Sequence, residues 1–165
     1  MLDNRHDVLN ALRQVHDKTK RLTLATAMTM QTSCVSSLPF HWEREGYYVW
    51  LANVTETIRH LRCTPTAIVM LLEQGHGQQK LQLAWVGKLN AVVYQSSEYQ
   101  KVWNNMQKQN TGIHETDLVN STLCCLTPSN GRLIGSDGRS MALWAADLAA
   151  ALLPNEQKPI ASAIG

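Results

Sequence analysis

Two uninterrupted apolar runs, residues 47–52 and 67–72, constrain the fold of this chain more than any other feature. Each run is six residues long, which is a typical length for a strand and short for a helix. A strand with one solvated face alternates apolar and polar residues, whereas a continuously apolar strand is expected where both faces are covered. These two runs therefore predict strands that are covered on both sides.

Helical patterns occur in four other places. Apolar residues at helical spacing predict a helix over residues 3–19. Shorter helices are predicted to start at Asn53, near Ser97, and over residues 147–153. They do not alternate regularly with strands, so a parallel sheet built from repeated strand–helix–strand units is not expected.

The remaining strands are suggested by short β-like runs between turn residues. Residues 22–29 and 33–40 are predicted to pair as a hairpin, and residues 118–126 to form a further strand. Residues 81–94 are long enough for one bent strand, with Gly87 at a bulge or a close backbone contact.

Turn residues predict how the last strands are connected. Residues 128–131, Pro-Ser-Asn-Gly, are predicted to form a turn, and short strands are expected at 133–134 and 140–143. The whole pattern predicts an α+β fold. A closed or partly closed antiparallel barrel would explain the apolar strands, and a plain two-layer sheet is the alternative.

Composition excludes several classes of protein. With 165 residues, 44% hydrophobic and 17% charged, the chain is predicted to be one folded domain over residues 1–165, with a loose tail over 155–165. Its net charge of +2 comes from scattered Lys and Arg, so nucleic acid is not an expected partner. No apolar run reaches the roughly 18 residues of a membrane span, and the N-terminus does not resemble a signal peptide, so a cytoplasmic protein is expected.

Familiar catalytic and metal-binding motifs do not occur in the sequence. The six histidines lack zinc-ligand spacing, and no P-loop, nucleophile elbow or dinucleotide-binding glycine set is present. We therefore expect no metal site, and we assign no catalytic acid, base or nucleophile.

The strand–turn–helix over residues 47–61 is the strongest candidate for a ligand site. Asn53 is predicted to cap the helix, with Glu56 three residues later completing a capping box. Unpaired N–H groups at a helix start attract anions, and Thr55 and Arg59 could add a hydroxyl and a positive charge. The alternative is a connecting helix whose arginines are merely solvated.

Two further residues could take part in binding. Lys88, on the long strand, could supply a second cation, although surface lysines are common. Trp85, on the same strand, could stack on a flat ring, or it could simply belong to the core.

The order of segments resembles a known superfamily. The segments L-T-L-A-T at 22–26, S-S-L-P-F at 36–40 and E-G-Y-Y-V at 45–49 are similar to the opening of the pyridoxamine 5'-phosphate oxidase-like, FMN-binding split-barrel superfamily. The haem-utilisation branch is the most similar. The resemblance extends over roughly residues 21–148.

The resemblance implies a six-stranded antiparallel split β-barrel with flanking helices, which forms a homodimer. It implies a flat anionic cofactor, FMN or haem, at the dimer interface, and an oxidoreductase if the chain is an enzyme. Carried over by position, Asn53, Thr55, Thr57 and Arg59 would contact the cofactor, with Lys88 and Trp85 added from the reasoning above.

The same resemblance leaves a second interpretation open. Ala52, Thr57 and His60 depart from the residues that are usual at the cofactor corner. A degenerate homodimer that keeps the barrel but binds no redox cofactor, and acts as an interaction or storage protein, is therefore the alternative.

Overall fold

The structure is a computed structural model that describes residues 4–29, 32–73, 80–109 and 113–152. Its helices are α1 (Arg5–Lys18), α2 (Glu56–Cys63), α3 (Ser97–Lys108) and α4 (Ala145–Leu152), with a 3₁₀ turn at Glu115–Leu118. Its strands are β1 (Arg21–Thr29), β2 (Thr32–Pro39), β3 (His41–Glu43), β4 (Gly46–Ala52), β5 (Thr66–Leu72), β6 (Gln82–Ala91), β7 (Ser121–Ile134) and β8 (Ser140–Trp144).

The strands form one antiparallel sheet in the order β2-β1-β5-β6-β7-β4-β3, and β8 pairs with the far end of β7. The predicted α+β class is confirmed. The sheet has eight strands in the described part of the chain and not the six that the resemblance implies, because the three-residue β3 and the hairpin partner β8 also pair. The sheet curls so that β2 approaches β4, and α2 contacts β1, β2 and β4.

The predicted N-terminal helix is confirmed within the described residues. The Asn4 side chain caps it by accepting a hydrogen bond from the Asp7 amide at 2.9 Å. Its apolar stripe, which includes Leu12 and Val15, is fully buried. Since α1 also packs on α4 and on the ends of β5 and β6, it covers one end of the curled sheet.

The predicted hairpin and bulge are also present. β1 and β2 pair antiparallel, and the pairing of β6 with β7 shifts register between Val86 and Gly87. A side chain at position 87 would collide with the Thr127 carbonyl oxygen, so this strand crossing needs glycine. The strand ends at Ala91, three residues earlier than predicted.

The predicted turn at residues 128–131 is wrong, because β7 runs straight through it. Pro128 lies opposite Gly87 at the bulge, where its missing N–H leaves the ladder intact on either side. Asn130 and Gly131 then pair with Val86 and Trp85. Pairing with a distant strand therefore overrides the local turn preference of these residues.

The two apolar runs behave differently from each other. β4 is covered on both faces as predicted, because α3 packs Val102 and Met106 against the outer side chain of Tyr48. β5 buries only alternate residues, and its other side leaves Ile68, Met70 and Leu72 exposed to 42%, 37% and 43%. The prediction of full cover for residues 67–72 is therefore wrong for a single copy of the chain.

The core lies inside the curl of the sheet. Its fully buried side chains come from α1 and from the inner faces of the strands, and include Leu12, Leu71, Leu83, Trp85 and Leu133. The predicted C-terminal tail at 155–165 lies outside the described residues. No helix in the described ranges is long and apolar enough to cross a membrane.

Candidate functional site

The corner between β4 and α2 is built by backbone contacts with the turn before β7. The Asn53 amide donates to the Asn120 carbonyl at 2.8 Å, and the Asn53 side-chain oxygen accepts from the Thr122 hydroxyl at 2.5 Å. The helix starts two residues later than predicted, after the cap residue Thr55. The predicted Asn53–Glu56 capping box is therefore wrong, because Asn53 is committed to the neighbouring strand.

The first turn of α2 keeps its backbone donors available. The Thr55 amide and hydroxyl both donate back to the Ala52 carbonyl, at 3.0 and 2.8 Å, so its side chain does not cap the helix. The N–H groups at the start of an α-helix have no intrahelical partner. Together with the helix dipole they favour an anion at this point.

Arg59 is the first positively charged residue of α2. Its Nη1 lies 2.7 Å from the Glu56 carboxylate, one turn earlier on the same helix. Both side chains are more than half exposed, and exposed pairs of this kind contribute little to stability. The guanidinium has further N–H donors. Arg59 can therefore bind an anion while its ion pair with Glu56 stays formed, or after that ion pair has broken.

The inner side of α2 carries a buried polar cluster. The Thr57 hydroxyl lies 3.2 Å from the Cys34 sulfur, and His60 Nδ1 lies 3.1 Å from the Thr26 hydroxyl. Thr26 and Cys34 face each other across β1 and β2. His60 Nε2 is fully buried and has no hydrogen-bond partner among the described residues. Thr57 therefore faces the barrel, with almost no surface on the corner itself.

The other two candidate residues lie away from the corner. Trp85 is fully buried in the core and offers no ring surface to a ligand. Lys88 is exposed and pairs with Thr127 of β7, whereas Ala52 at the corner pairs with Ser121. Six residues along a strand correspond to about 20 Å. The structure thus brings together Asn53, Thr55 and Arg59, and separates them from Lys88 and Trp85.

Sequence reasoning missed an exposed aromatic residue at the end of β8. Trp144 is the only one of the five tryptophans with a largely exposed side chain. The period-two alternation of β8, which turns Leu143 inward, is a signal that could have identified it. In the described ranges, no cluster of three His, Cys, Asp or Glu side chains could hold a metal ion.

A scan against protein-family models finds no match for this chain, and a search of curated proteins finds none either. Solved structures do match. HutZ, the haem storage protein from Vibrio cholerae, is 24% identical over 78% of this chain and 92% of its own, with a TM-score of 0.63. ChuZ from Campylobacter jejuni is 17% identical over 88% of this chain and 62% of its own, with a TM-score of 0.73.

A putative pyridoxamine 5'-phosphate oxidase from Listeria innocua is also similar. It is 14% identical over 78% of this chain and 96% of its own, with a TM-score of 0.58. The chain spans less than two thirds of the length of ChuZ. It spans most of the length of HutZ and of the Listeria innocua protein. The chain therefore has the same fold as these proteins, and the split-barrel fold that the resemblance in its sequence implies is confirmed.

Proposed function

We propose that this chain forms a homodimer and binds a flat anionic cofactor, FMN or haem, beside the corner of Asn53, Thr55 and Arg59. The similar structures include a haem storage protein and a putative pyridoxamine 5'-phosphate oxidase, which is consistent with such a cofactor. In this proposal the cofactor supplies any redox chemistry, and the chain supplies anchoring and electrostatics.

The observation that carries the proposal is an uncovered apolar surface on the outer side of four neighbouring strands. We name it the apolar face, and it consists of Val35, Ile68, Met70 and Val86. Ala25 pairs with both Val35 and Ile68, and Ile68 pairs with Val86, so three of the four residues lie in one row across the sheet.

An apolar surface of this kind marks an interaction site in a soluble protein. A second copy of the chain presents the same surface, and two such surfaces can meet about a twofold axis. The dimer would then cover the outer side of β5. This explains why residues 67–72 are apolar on both faces although one copy buries only one of them.

The donors at the corner suit one anionic group. The phosphate of FMN carries about two negative charges and three acceptor oxygens, and a haem propionate carries one charge. Arg59 and the open first turn of α2 offer a guanidinium and several backbone N–H groups. These donors can make charge-assisted hydrogen bonds to either group.

A second candidate function is favoured by the contacts already made at the corner. Thr57 is buried against Cys34, Trp85 is sealed in the core, and Arg59 is paired with Glu56. These internal contacts would suit a homodimer that keeps the split barrel without a redox cofactor, and acts as an interaction or storage protein.

Parallel titration of the purified protein with FMN and with haem distinguishes the two. Under the first proposal one of them binds with a change in its absorbance spectrum, and Arg59→Ala weakens that binding at least tenfold. Arg62→Ala is the matched control, because Arg62 is an exposed arginine near the other end of α2. If neither FMN nor haem changes its absorbance spectrum when it is titrated with the protein, the second candidate is supported instead.

A further inference from the structure

A surface cavity lies on the outer side of the sheet, beside α3. Its volume is about 400 Å³, which is within the range of cavities that bind small molecules. Asn90, Cys125 and Thr127 are among the residues that line it. Cys125 is four residues along β7 from Ser121, which pairs with Ala52 at the corner, so about 13 Å separates the two places. The cavity is therefore a separate feature of the molecule.

The floor and one wall of the cavity belong to regular elements. Tyr48 pairs with Cys125, and Cys125 pairs with Asn90, so their side chains form one row on the outer side of β4, β7 and β6. The Tyr48 hydroxyl donates to the Glu98 carboxylate at 2.8 Å, and this bond ties the first turn of α3 to the row. The shape of the cavity thus depends on strand pairing and on a fixed helix.

The walls of the cavity carry two carboxylates, those of Glu45 and Glu98. Neither carboxylate belongs to an ion pair within the described ranges of the chain. Lys101 follows Glu98 by one helical turn, but its ammonium group is held by Glu43 at 2.5 Å. The walls therefore supply negative charge that the neighbouring lysine does not neutralise by direct contact.

The thiol of Cys125 at the floor is affected by this charge. Burial raises the pKa of the Cys125 thiol to about 11, and the nearby Tyr48 and Thr127 hydroxyls lower it in part. The charges of Glu98 and Glu45 act with burial and raise it. The thiol is therefore protonated at neutral pH and offers no reactive thiolate. The cavity has an uncharged floor and negatively charged walls.

We propose that this cavity binds a small organic cation, a primary amine with a short alkyl chain. The ammonium group donates charge-assisted hydrogen bonds to Glu98 and Glu45. The alkyl chain lies against Ala91, Val92 and the Cys125 thiol, which also line the cavity. This site goes beyond the proposed function, because it lies apart from the corner and requires no cofactor.

Three probes with the same four-carbon chain test the charge of the ligand. Butylamine is a cation at neutral pH, butanol is uncharged and butyrate is an anion. Butylamine should bind with a Kd at least about tenfold lower than that of butanol, and butyrate should bind more weakly than either. The amide NMR signals of Ala91 and Val92 should shift during the titration. Added salt should raise the Kd for butylamine more than that for butanol.

Single substitutions test the walls. Glu98→Gln keeps an acceptor for the Tyr48 hydroxyl, and Glu45→Gln removes the other charge. Each should raise the Kd for butylamine by about threefold and leave that for butanol unchanged. Lys88→Ala should lower the Kd for butylamine, because Lys88 is the cross-strand partner of Thr127 and its charge opposes the cation. Asp137→Asn, which removes a negative charge from the turn after β7, is the control and should have no effect.

Circular dichroism identifies the variants that keep the wild-type fold, and the three probes and the salt dependence need no substitution. The inference is overturned if butylamine binds no more tightly than butanol, or if butyrate binds more tightly than butylamine. It is also overturned if folded Glu98→Gln and Glu45→Gln bind butylamine as the wild type does. None of these results affects the proposal for FMN or haem, which the titrations with those two cofactors test.

Discussion

The two sides of β5 carry equally apolar side chains that have opposite fates. On the inner side, Val69 and Leu71 are fully buried in the core. On the outer side, Ile68, Met70 and Leu72 remain well exposed in a single copy of the chain. β4 differs from β5 because α3 covers its outer side. The comparison shows that the chain carries more apolar surface than its own fold buries.

The largest expected effect is on the free energy of unfolding. It appears when two adjacent residues of β5 are compared, one on the inner side and one on the outer side. Leu71→Ala should lower the free energy of unfolding by about 2–5 kcal/mol, because it leaves a cavity in the core. Leu72→Ala changes the same residue type on the outer side, which only a second copy would cover, so it should cost less than about 1 kcal/mol when the protein is dilute enough to be monomeric. Urea unfolding of both variants measures the difference. Equal losses would mean that both sides of β5 are packed in the same way.

A smaller effect is expected at the apolar face itself. Ile68→Asp places a charge on the outer side of β5, where a second copy would have to bury it without a partner. We expect dimer dissociation to become easier by at least about 100-fold, which corresponds to about 2.8 kcal/mol. Light scattering over a range of protein concentrations measures this change.

The control for that substitution is Val93→Asp, because Val93 is exposed but lies outside the apolar face. It should leave the dissociation constant unchanged. A wild-type protein that is monomeric at high concentration would contradict the proposed dimer, and the outer side of β5 would then need another explanation.

The comparison of the two sides also shows what the sequence could predict. Local patterns were sufficient for α1 and for the first hairpin, because each depends on residues close together in the chain. The glycine itself indicated the bulge at position 87, although the Thr127 carbonyl that requires it lies on a distant strand. Continuous apolar character predicted strands at 47–52 and 67–72 correctly. It could not tell which strand would be covered by α3 and which would be left exposed.

The errors share a physical cause, which is pairing over long sequence distances. Pro128 looked like the start of a turn, yet it is held in β7 by a strand some forty residues earlier. Asn53 looked like a helix cap, yet it bonds to Thr122. The resemblance implied a cofactor at the corner, which stays a prediction, and it could not tell that Thr57 faces inward or that Trp85 is sealed in the core.

His16 is a buried polar residue of the interior whose ionisation can be tested. His16 stacks on Trp42 with ring centroids 3.7 Å apart. Its Nδ1–H donates to the Leu12 carbonyl at 2.6 Å, and its Nε2 then accepts from the Tyr47 hydroxyl at 2.7 Å. Burial lowers the pKa of His16 to about 4, although the Leu12 hydrogen bond opposes this. The neutral imidazole is thus built into the core.

The smallest expected effect follows from this lowered pKa. The unfolded chain takes up the His16 proton near pH 6.5, whereas the folded chain resists until about pH 4. The contribution to stability is therefore complete above pH 6.5 and declines as the pH falls toward 4. Between pH 7 and pH 5, above the range of most carboxylates, the free energy of unfolding should fall by about 2 kcal/mol from this group.

His16→Gln should be less stable at neutral pH and should lose this part of the pH dependence, whereas the exposed His6→Gln should keep it. Urea unfolding at several pH values measures both slopes. Equal slopes in the two variants would show that His16 is accessible to protons in the folded chain. In that case the inner side of the barrel would be less tightly sealed than its apolar residues indicate, and the contrast between the two sides of the sheet would be weaker.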